Sequence, residues 1–164
     1  MASQLEPAGE VALEPVEPGY KTVLRVRLVM FWSILWAVAA VADQVFLKLT
    51  PIAGLPTLGV PIVGLAAVVV APQRVYRRLR FRLTERLLQV VRGWLFHVDT
   101  VVPLVRVQHI DVTRGPLEKM FGVATLVVHT AGTHNSIVTL PGLAPERAAQ
   151  IRDIIREHVR TDFA

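Results

Sequence analysis

Two long apolar segments dominate the first half of the 164-residue chain. The first, LVMFWSILWAVAAVA at residues 28–42, would be about 22 Å long as an α-helix, and its extension to Lys48 reaches the ~30 Å of a bilayer core. The second, LGVPIVGLAAVVVAP, occupies residues 58–72 and follows the proline-containing turn segment TPIAGLPT. We therefore predict two membrane-spanning helices, at about residues 27–48 and 56–75, that form a hairpin.

Basic residues lie next to the two spans of this hairpin, which comprises residues 21–76, on one side of the membrane. Three of them precede the first span: Lys21, Arg25 and Arg27. Six follow the second span: Arg74, Arg77, Arg78, Arg80, Arg82 and Arg86. Only Lys48 lies near the connecting loop. Because cytoplasmic flanks carry the excess of Lys and Arg, we predict a multi-pass protein of the plasma (cytoplasmic) membrane with both termini in the cytoplasm.

A cleaved signal peptide is the alternative interpretation of the first apolar run. The sequence AVAAVADQ resembles a signal-peptidase site with cleavage after Ala42, and basic residues precede the apolar core. The long acidic tail ahead of those basic residues and the tryptophans Trp32 and Trp36 argue against cleavage. We favour the uncleaved hairpin, which the second run completes.

After the hairpin, the hydrophobic pattern changes to period two, which is typical of β-strands. Phe81 and Leu83 alternate with arginines, and the phase slips by one residue near Gln108–His109, which indicates a β-bulge. Residues 115–122 indicate a connecting loop or short helical turn, and residues 131–135 a hairpin loop. Further strands are predicted at residues 87–94, 98–103, 105–113, 125–130 and 136–140.

The last segment has the pattern of an amphipathic helix of about four turns. Pro145 suits its first position, and Glu146 suits the positive end of the helix dipole. One face is apolar: Ala148, Ile151, Ile155 and Val159. The predicted fold is therefore a membrane α-helical hairpin followed, at residues 77–164, by an α+β domain: a small antiparallel β-barrel or sandwich with a C-terminal amphipathic helix.

Charge and composition narrow the partners. Residues 1–20 carry four glutamates, three prolines and no Lys or Arg, so we expect a disordered acidic tail. Residues 73–164 carry 14 Lys or Arg against 8 Asp or Glu, a net charge of +6, which favours an anionic neighbour. Lipid headgroups of the adjacent bilayer are the nearest candidate, and nucleic acid is the generic alternative, which we do not expect.

Candidate chemistry is sparse. The absence of cysteine excludes disulfides, thiolate metal sites and cysteine nucleophiles. The five histidines have no metal-motif spacing, and neither Ser136 near His134 nor the carboxylates Asp111 and Glu118 sit in a catalytic context. We expect no catalytic residues, metal or cofactor.

Three sequence blocks resemble a known family. These are RRLRFRLTERLLQVVRG at residues 77–93, VVPLVRVQHIDVTRGPLEKMFGVATLVVHTAG at residues 101–132 and LPGL at residues 140–143, followed by the terminal helix. Together they resemble the bacterial pleckstrin-homology (PH) membrane family of the YdbS-like kind. The resemblance implies a helical hairpin followed by a PH-like barrel with a C-terminal helix. It also implies a membrane-attached scaffold, with no catalytic residue set to carry over.

Two functions follow as hypotheses. The first is a non-enzymatic interaction module that holds a membrane-protein partner or a second copy of the chain, because an exposed sheet edge can accept a strand. Its candidate residues are Arg106, Gln108, Asp111, Arg114 and Lys119. The second is binding of anionic lipid headgroups, for which the cationic face of Arg78, Arg80, Arg82 and Arg114 would have to converge on one concave site. Its candidate residues at the membrane surface are Arg74, Arg77, Arg78, Arg80, Arg82 and Trp94.

Overall fold

The computed structural model describes residues 13–93, 97–131 and 137–161, apart from the side chains of 159–161. Within these residues the helices are α1 (Pro18–Ala42), α2 (Leu55–Arg78), α3 (Pro116–Met120) and α4 (Pro145–Thr161). The strands are β1 (Glu14–Pro15), β2 (Arg80–Leu83), β3 (Leu87–Arg92), β4 (Val98–Pro103), β5 (Val107–Thr113), β6 (Ala124–Thr130) and β7 (Ile137–Leu143). The predicted loop at residues 131–135 and Trp94 lie largely or wholly outside the described residues.

The first two helices form the hairpin. α1 continues as a π-helical turn to Leu47, so the helical segment is about 45 Å long, and α2 is about 36 Å long, enough for each to cross a bilayer core. Most of their large apolar side chains are exposed, as lipid-facing residues are. The helices touch where Gly64 packs on the Trp32 ring and where the indole N–H of Trp36 donates to the Thr57 carbonyl oxygen at 3.0 Å. α1 begins nine residues before the predicted span, which leaves its first turns outside the apolar run.

Asp43 holds the connection between the two helices together. Its side chain is buried, and its oxygens accept hydrogen bonds from the Gly54 backbone N–H at 2.8 and 2.9 Å and from the Thr57 hydroxyl at 3.0 Å. The carboxylate therefore satisfies a donor at the start of α2, where the backbone N–H groups have no helical partner.

We expect Asp43→Asn to destabilise the hairpin by about 1 kcal/mol, because the amide keeps one acceptor oxygen and loses the other. Thermal unfolding of the detergent-solubilised full-length protein measures the change. Gln44→Ala is the matched control, since Gln44 is an exposed neighbour on the same turn. A stability equal to that of the control variant would contradict the role assigned to Asp43.

The domain after the hairpin consists of two antiparallel sheets. Their strand orders are β1-β2-β3-β4 and β5-β6-β7. One hydrophobic core unites them, with Leu88 and Val90 from the first sheet and Leu126, Val128 and Leu140 from the second all buried. The described strands form two separate sheets and no closed barrel. The order of hairpin, antiparallel strands and terminal helix agrees with the prediction.

Helix α4 covers this core as the apolar pattern predicts. It starts at Pro145, and Ala148, Ile151 and Ile155 are fully buried, while the side chain of Val159 lies outside the described part. The helix packs against β5 and β6. Three buried residues on successive turns bind it to the sheets, because each removes an apolar side chain from water.

The entry to β5 confirms one prediction and corrects another. The register between β5 and β6 shifts between Val107 and His109, where the β-bulge was predicted. The strand predicted from residue 105 instead starts at Val107, because Leu104–Arg106 form a 3₁₀ turn. The turn buries the Leu104 side chain in the core where the chain passes from β4 of the first sheet to β5 of the second.

The start of the chain differs from the predicted tail over residues 14–20. β1 pairs with β2, placing Glu14 opposite Phe81, and Val16 and Tyr20 are buried in the domain core. The Glu14 carboxylate also accepts from Arg147 of α4 at 2.9 and 3.0 Å. Residues 1–12 lie outside the described part of the chain.

Candidate functional site

The first turn of α1 is attached to the domain by close contacts. The Glu17 backbone N–H donates to the Gly142 carbonyl oxygen at 2.7 Å, and the Tyr20 side chain packs directly on Gly142. Gly142 has a φ of +80°, and a methyl group placed on it would lie 2.7 Å from Tyr20 Cβ. Immediately before Tyr20, Gly19 lies against the Phe121 carbonyl oxygen. The domain is therefore held in a fixed position at the basic end of the hairpin.

A buried carboxylate adds a polar connection at the same junction. Glu118 on α3 is 6% exposed and accepts from the Gly115 backbone N–H at 2.9 Å and from the Thr125 hydroxyl at 3.0 Å. Arg27 of α1 approaches it at 3.4 Å. Glu118 is the third residue of α3, the position from which a Glu side chain reaches back to the N-cap backbone. One side chain thus joins α3, β6 and α1.

The five predicted partner-binding residues are distributed along β5, an edge strand of the second sheet, and the segments directly before and after it. Arg106 ends the 3₁₀ turn, Gln108 lies at the bulge, Asp111 is in mid-strand, Arg114 follows β5, and Lys119 is on α3. They are exposed or half-buried. β5 alone is about 20 Å long, so these residues line an edge and do not converge on one pocket.

Asp111 is engaged within its own sheet. Its carboxylate lies 2.9 Å from Nε2 of His109 and 3.5 Å from Nε2 of His129, and the two imidazole rings are 5.8 Å apart. His109 and Asp111 are two residues apart on β5, and His129 lies opposite His109 on β6, so the three side chains share one face of the sheet. Asp111 is therefore less available to a partner than Arg106 at the other end of the strand.

The predicted lipid-facing cations follow the path from α2 into β2. Arg74, Arg77 and Arg78 are exposed near the end of α2, where cations oppose the negative end of the helix dipole. Arg80 is exposed on β2, whereas Arg82 is half-buried, with its Nε buried and without a hydrogen-bond partner among the described residues. Trp94 lies outside the described part.

A cavity of about 350 Å³ lies between β4 and the ends of β6 and β7. It is lined by Val98, Asp99, Thr100, Val101, Val102, Pro103, Arg106, Thr130, Ala131 and Val138. Arg106 is the member that the sequence singled out. The β4 residues were missed, although the terminal proline of the strand is a signal, since proline is confined to edge strands.

An apolar helical hairpin, two antiparallel sheets and a C-terminal helix packed on them define a membrane protein with a PH-like domain. The family model described as "Bacterial PH domain" matches residues 22–159, and the chain belongs to that family. The UPF0699 transmembrane protein YdbS of Bacillus subtilis (strain 168) is 33% identical over 97 residues. That match spans 59% of the chain and 59% of the relative's length. No solved structure matches the chain.

The two matches confirm the predicted family and the transmembrane character of the protein, and they point to a non-catalytic role.

Proposed function

We propose that this protein is a non-enzymatic interaction module, anchored by its helical hairpin, whose PH-like domain binds an extended segment of a partner membrane protein or of a second copy. The domain faces the cytoplasm at the plasma membrane in this proposal. The support for that orientation is that the basic flanks of α1 and α2 and the domain all lie at the same end of the hairpin.

The observation that carries the proposal is the free edge of β4. Among the described strands, β4 pairs with β3 alone. The Leu104 backbone N–H donates to the Arg86 carbonyl oxygen at 3.0 Å, which sets the hydrogen-bond alternation along the antiparallel pair. By that alternation, Asp99 and Val101 direct their N–H and C=O groups away from β3. These groups are available to a strand added at the edge.

The surroundings of this edge suit a peptide segment. Val98 and Val101 are 43% and 51% exposed, and the adjacent cavity also contains the charged residues Asp99 and Arg106. An added strand would pair with the backbone of β4, while its side chains meet valines and one charge of each sign. In such strand addition the main-chain hydrogen bonds provide the affinity, and the side-chain contacts provide the specificity.

Headgroup binding by the domain has less support. Neither the cavity beside β4 nor the apolar groove described below is lined by Arg78, Arg80, Arg82 or Arg114. These four arginines are distributed over α2, β2 and the segment after β5, which favours the partner hypothesis over a single concave lipid site.

We expect Val101→Pro to weaken partner binding about tenfold, because proline removes an outward-facing N–H without removing a hydrogen bond to β3. The measurement is photo-crosslinking from a residue introduced at Val98 in the full-length protein in its native membranes, with mass spectrometry of the adduct. Val101→Thr is the matched control, since it keeps the N–H and the β-branched shape.

The adduct identifies the occupant. A partner or self-adduct that Val101→Pro strongly reduces and Val101→Thr preserves supports strand addition. An adduct insensitive to Val101→Pro contradicts it. A third outcome would replace strand addition by headgroup binding. In that outcome no adduct forms, and the protein selectively retains an anionic lipid that is lost when Arg78, Arg80 and Arg114 are replaced by alanine.

A further inference from the structure

A second cavity lies within the hairpin. It is an apolar groove of about 650 Å³ between α1 and α2, open on one side. We call it the inter-helix groove, and its lining residues are Leu24, Leu28, Phe31, Trp32, Ala66, Ala67, Val70, Ala71, Pro72 and Val75. Small alanines on α2 face larger side chains on α1, and the space between them is the open inter-helix groove rather than a close helix–helix contact.

The length of the groove matches one membrane leaflet. From Leu24 to Trp32 it extends about 12 Å along α1, and from Ala66 to Val75 about 14 Å along α2. Half of a bilayer core is about 15 Å. The deep end is closed where Trp32 packs on Gly64. A partner transmembrane helix would need a groove across both leaflets, so the dimensions favour a single lipid chain.

Cations stand at the other end of the groove. Lys21 lies three residues before Leu24, and Arg74 lies three and four residues after Ala71 and Val70, so both share the helix faces that line it. Leu24 and Val75 at this end also pack against the domain core. The inter-helix groove therefore has positively charged residues at the end that lies at the hairpin–domain junction.

We propose that the inter-helix groove binds one acyl chain of an anionic phospholipid, with the lipid phosphate held by Lys21 and Arg74. The apolar lining accepts the chain, and the two cations select the charge of the headgroup. This site is separate from the β4 edge, and either can exist without the other.

Quenching of Trp32 fluorescence tests the proposal directly. The chain has three tryptophans, so a Trp36→Phe/Trp94→Phe background leaves Trp32 as the sole reporter in the full-length protein. The protein is placed in phosphatidylcholine vesicles containing a fixed fraction of either brominated phosphatidylglycerol or brominated phosphatidylcholine. We expect stronger quenching by the brominated phosphatidylglycerol at equal mole fraction.

Matched variants distinguish the contribution of the two cations from that of the apolar groove. Lys21→Gln and Arg74→Gln should each weaken the phosphatidylglycerol preference about fivefold, the effect of one cation at an anionic surface. Lys48→Gln, at the opposite end of the hairpin, should leave it unchanged. Ala67→Leu, which fills the groove, should reduce quenching, whereas Val69→Leu, which lies outside the lining, should not.

Equal quenching by the two lipids in the protein with native Lys21 and Arg74 would overturn the proposal, because it reports ordinary surrounding lipid. A loss of preference in Lys48→Gln as large as that in Lys21→Gln would overturn the assigned cations. Shielding of Trp32 from both lipids, with a dimer detected in the same vesicles, would assign the groove to a second copy instead.

Discussion

Gly142→Ala is expected to destabilise the protein by about 2–5 kcal/mol and to loosen the domain from the hairpin. Part of this cost is the left-handed backbone, which is about 1–2 kcal/mol less favourable for a residue with a Cβ. The rest is overlap with Tyr20, whose Cβ and Cγ would each lie 2.7 Å from the new methyl group. Forced overlap in a packed site typically costs about 1–3 kcal/mol.

Gly122→Ala is the matched control for the backbone part. Gly122 has a φ of +65°, but a methyl group there would meet nothing within 4 Å. We expect it to cost about 1–2 kcal/mol, the conformational part alone. In a Tyr20→Gly background the difference between the two glycine variants should shrink, because both overlapping atoms, Cβ and Cγ of Tyr20, are gone. A difference that persists would show that Tyr20 is not the cause.

Two readouts report the effect. Thermal unfolding in detergent gives the stability, and spin labels on Leu49 and Met120 give the distance distribution between the hairpin loop and the domain. Both positions are highly exposed, and the chain has no native cysteine, so the introduced cysteines are unique labelling sites. The distribution should broaden in Gly142→Ala and stay narrow in Gly122→Ala. Narrow distributions in both would contradict a junction fixed by this contact.

The predictable part of the fold is the part that local patterns specify. Uninterrupted apolar runs reveal α1 and α2, alternation reveals most strands, and the spacing of Ala148, Ile151 and Ile155 reveals the buried face of α4. The bulge near Gln108 was visible because a shift of one residue exchanges the faces of a strand. Each of these signals is contained within one element.

Long-range contacts account for what the sequence did not show. The segment around Glu14 has an acidic, proline-rich composition, yet it pairs with β2 and meets Arg147, 133 residues away. No periodicity in a two-residue strand reveals that pairing. The 3₁₀ turn before β5 depends likewise on burial of Leu104 in a core formed by other elements.

The candidate sites divide in the same way. Clusters of cations could be recognised from the sequence, and Arg106, a candidate from the sequence, also lines the cavity beside β4. The free edge of β4 and the inter-helix groove could not be recognised, because each depends on which neighbours an element lacks or keeps in three dimensions. Ala67 and Ala71 line a groove only because Leu28 and Trp32 of the other helix line its opposite side, and the sequence alone does not show this arrangement.

Glu118→Ala is the second variant with a large expected effect, about 2–3 kcal/mol, because it leaves the donors of Gly115 and Thr125 without their acceptor in a buried site. Arg27→Ala should cost at most about 1 kcal/mol, since Arg27 is half exposed and 3.4 Å from the carboxylate. Thermal unfolding of the solubilised protein ranks the two variants. If Arg27→Ala proved as damaging as Glu118→Ala, the ion pair between α1 and α3 would carry the junction. The expected order instead means that Glu118 stabilises the domain mainly through its buried hydrogen bonds to Gly115 and Thr125, and that Arg27 adds only a weak link to α1.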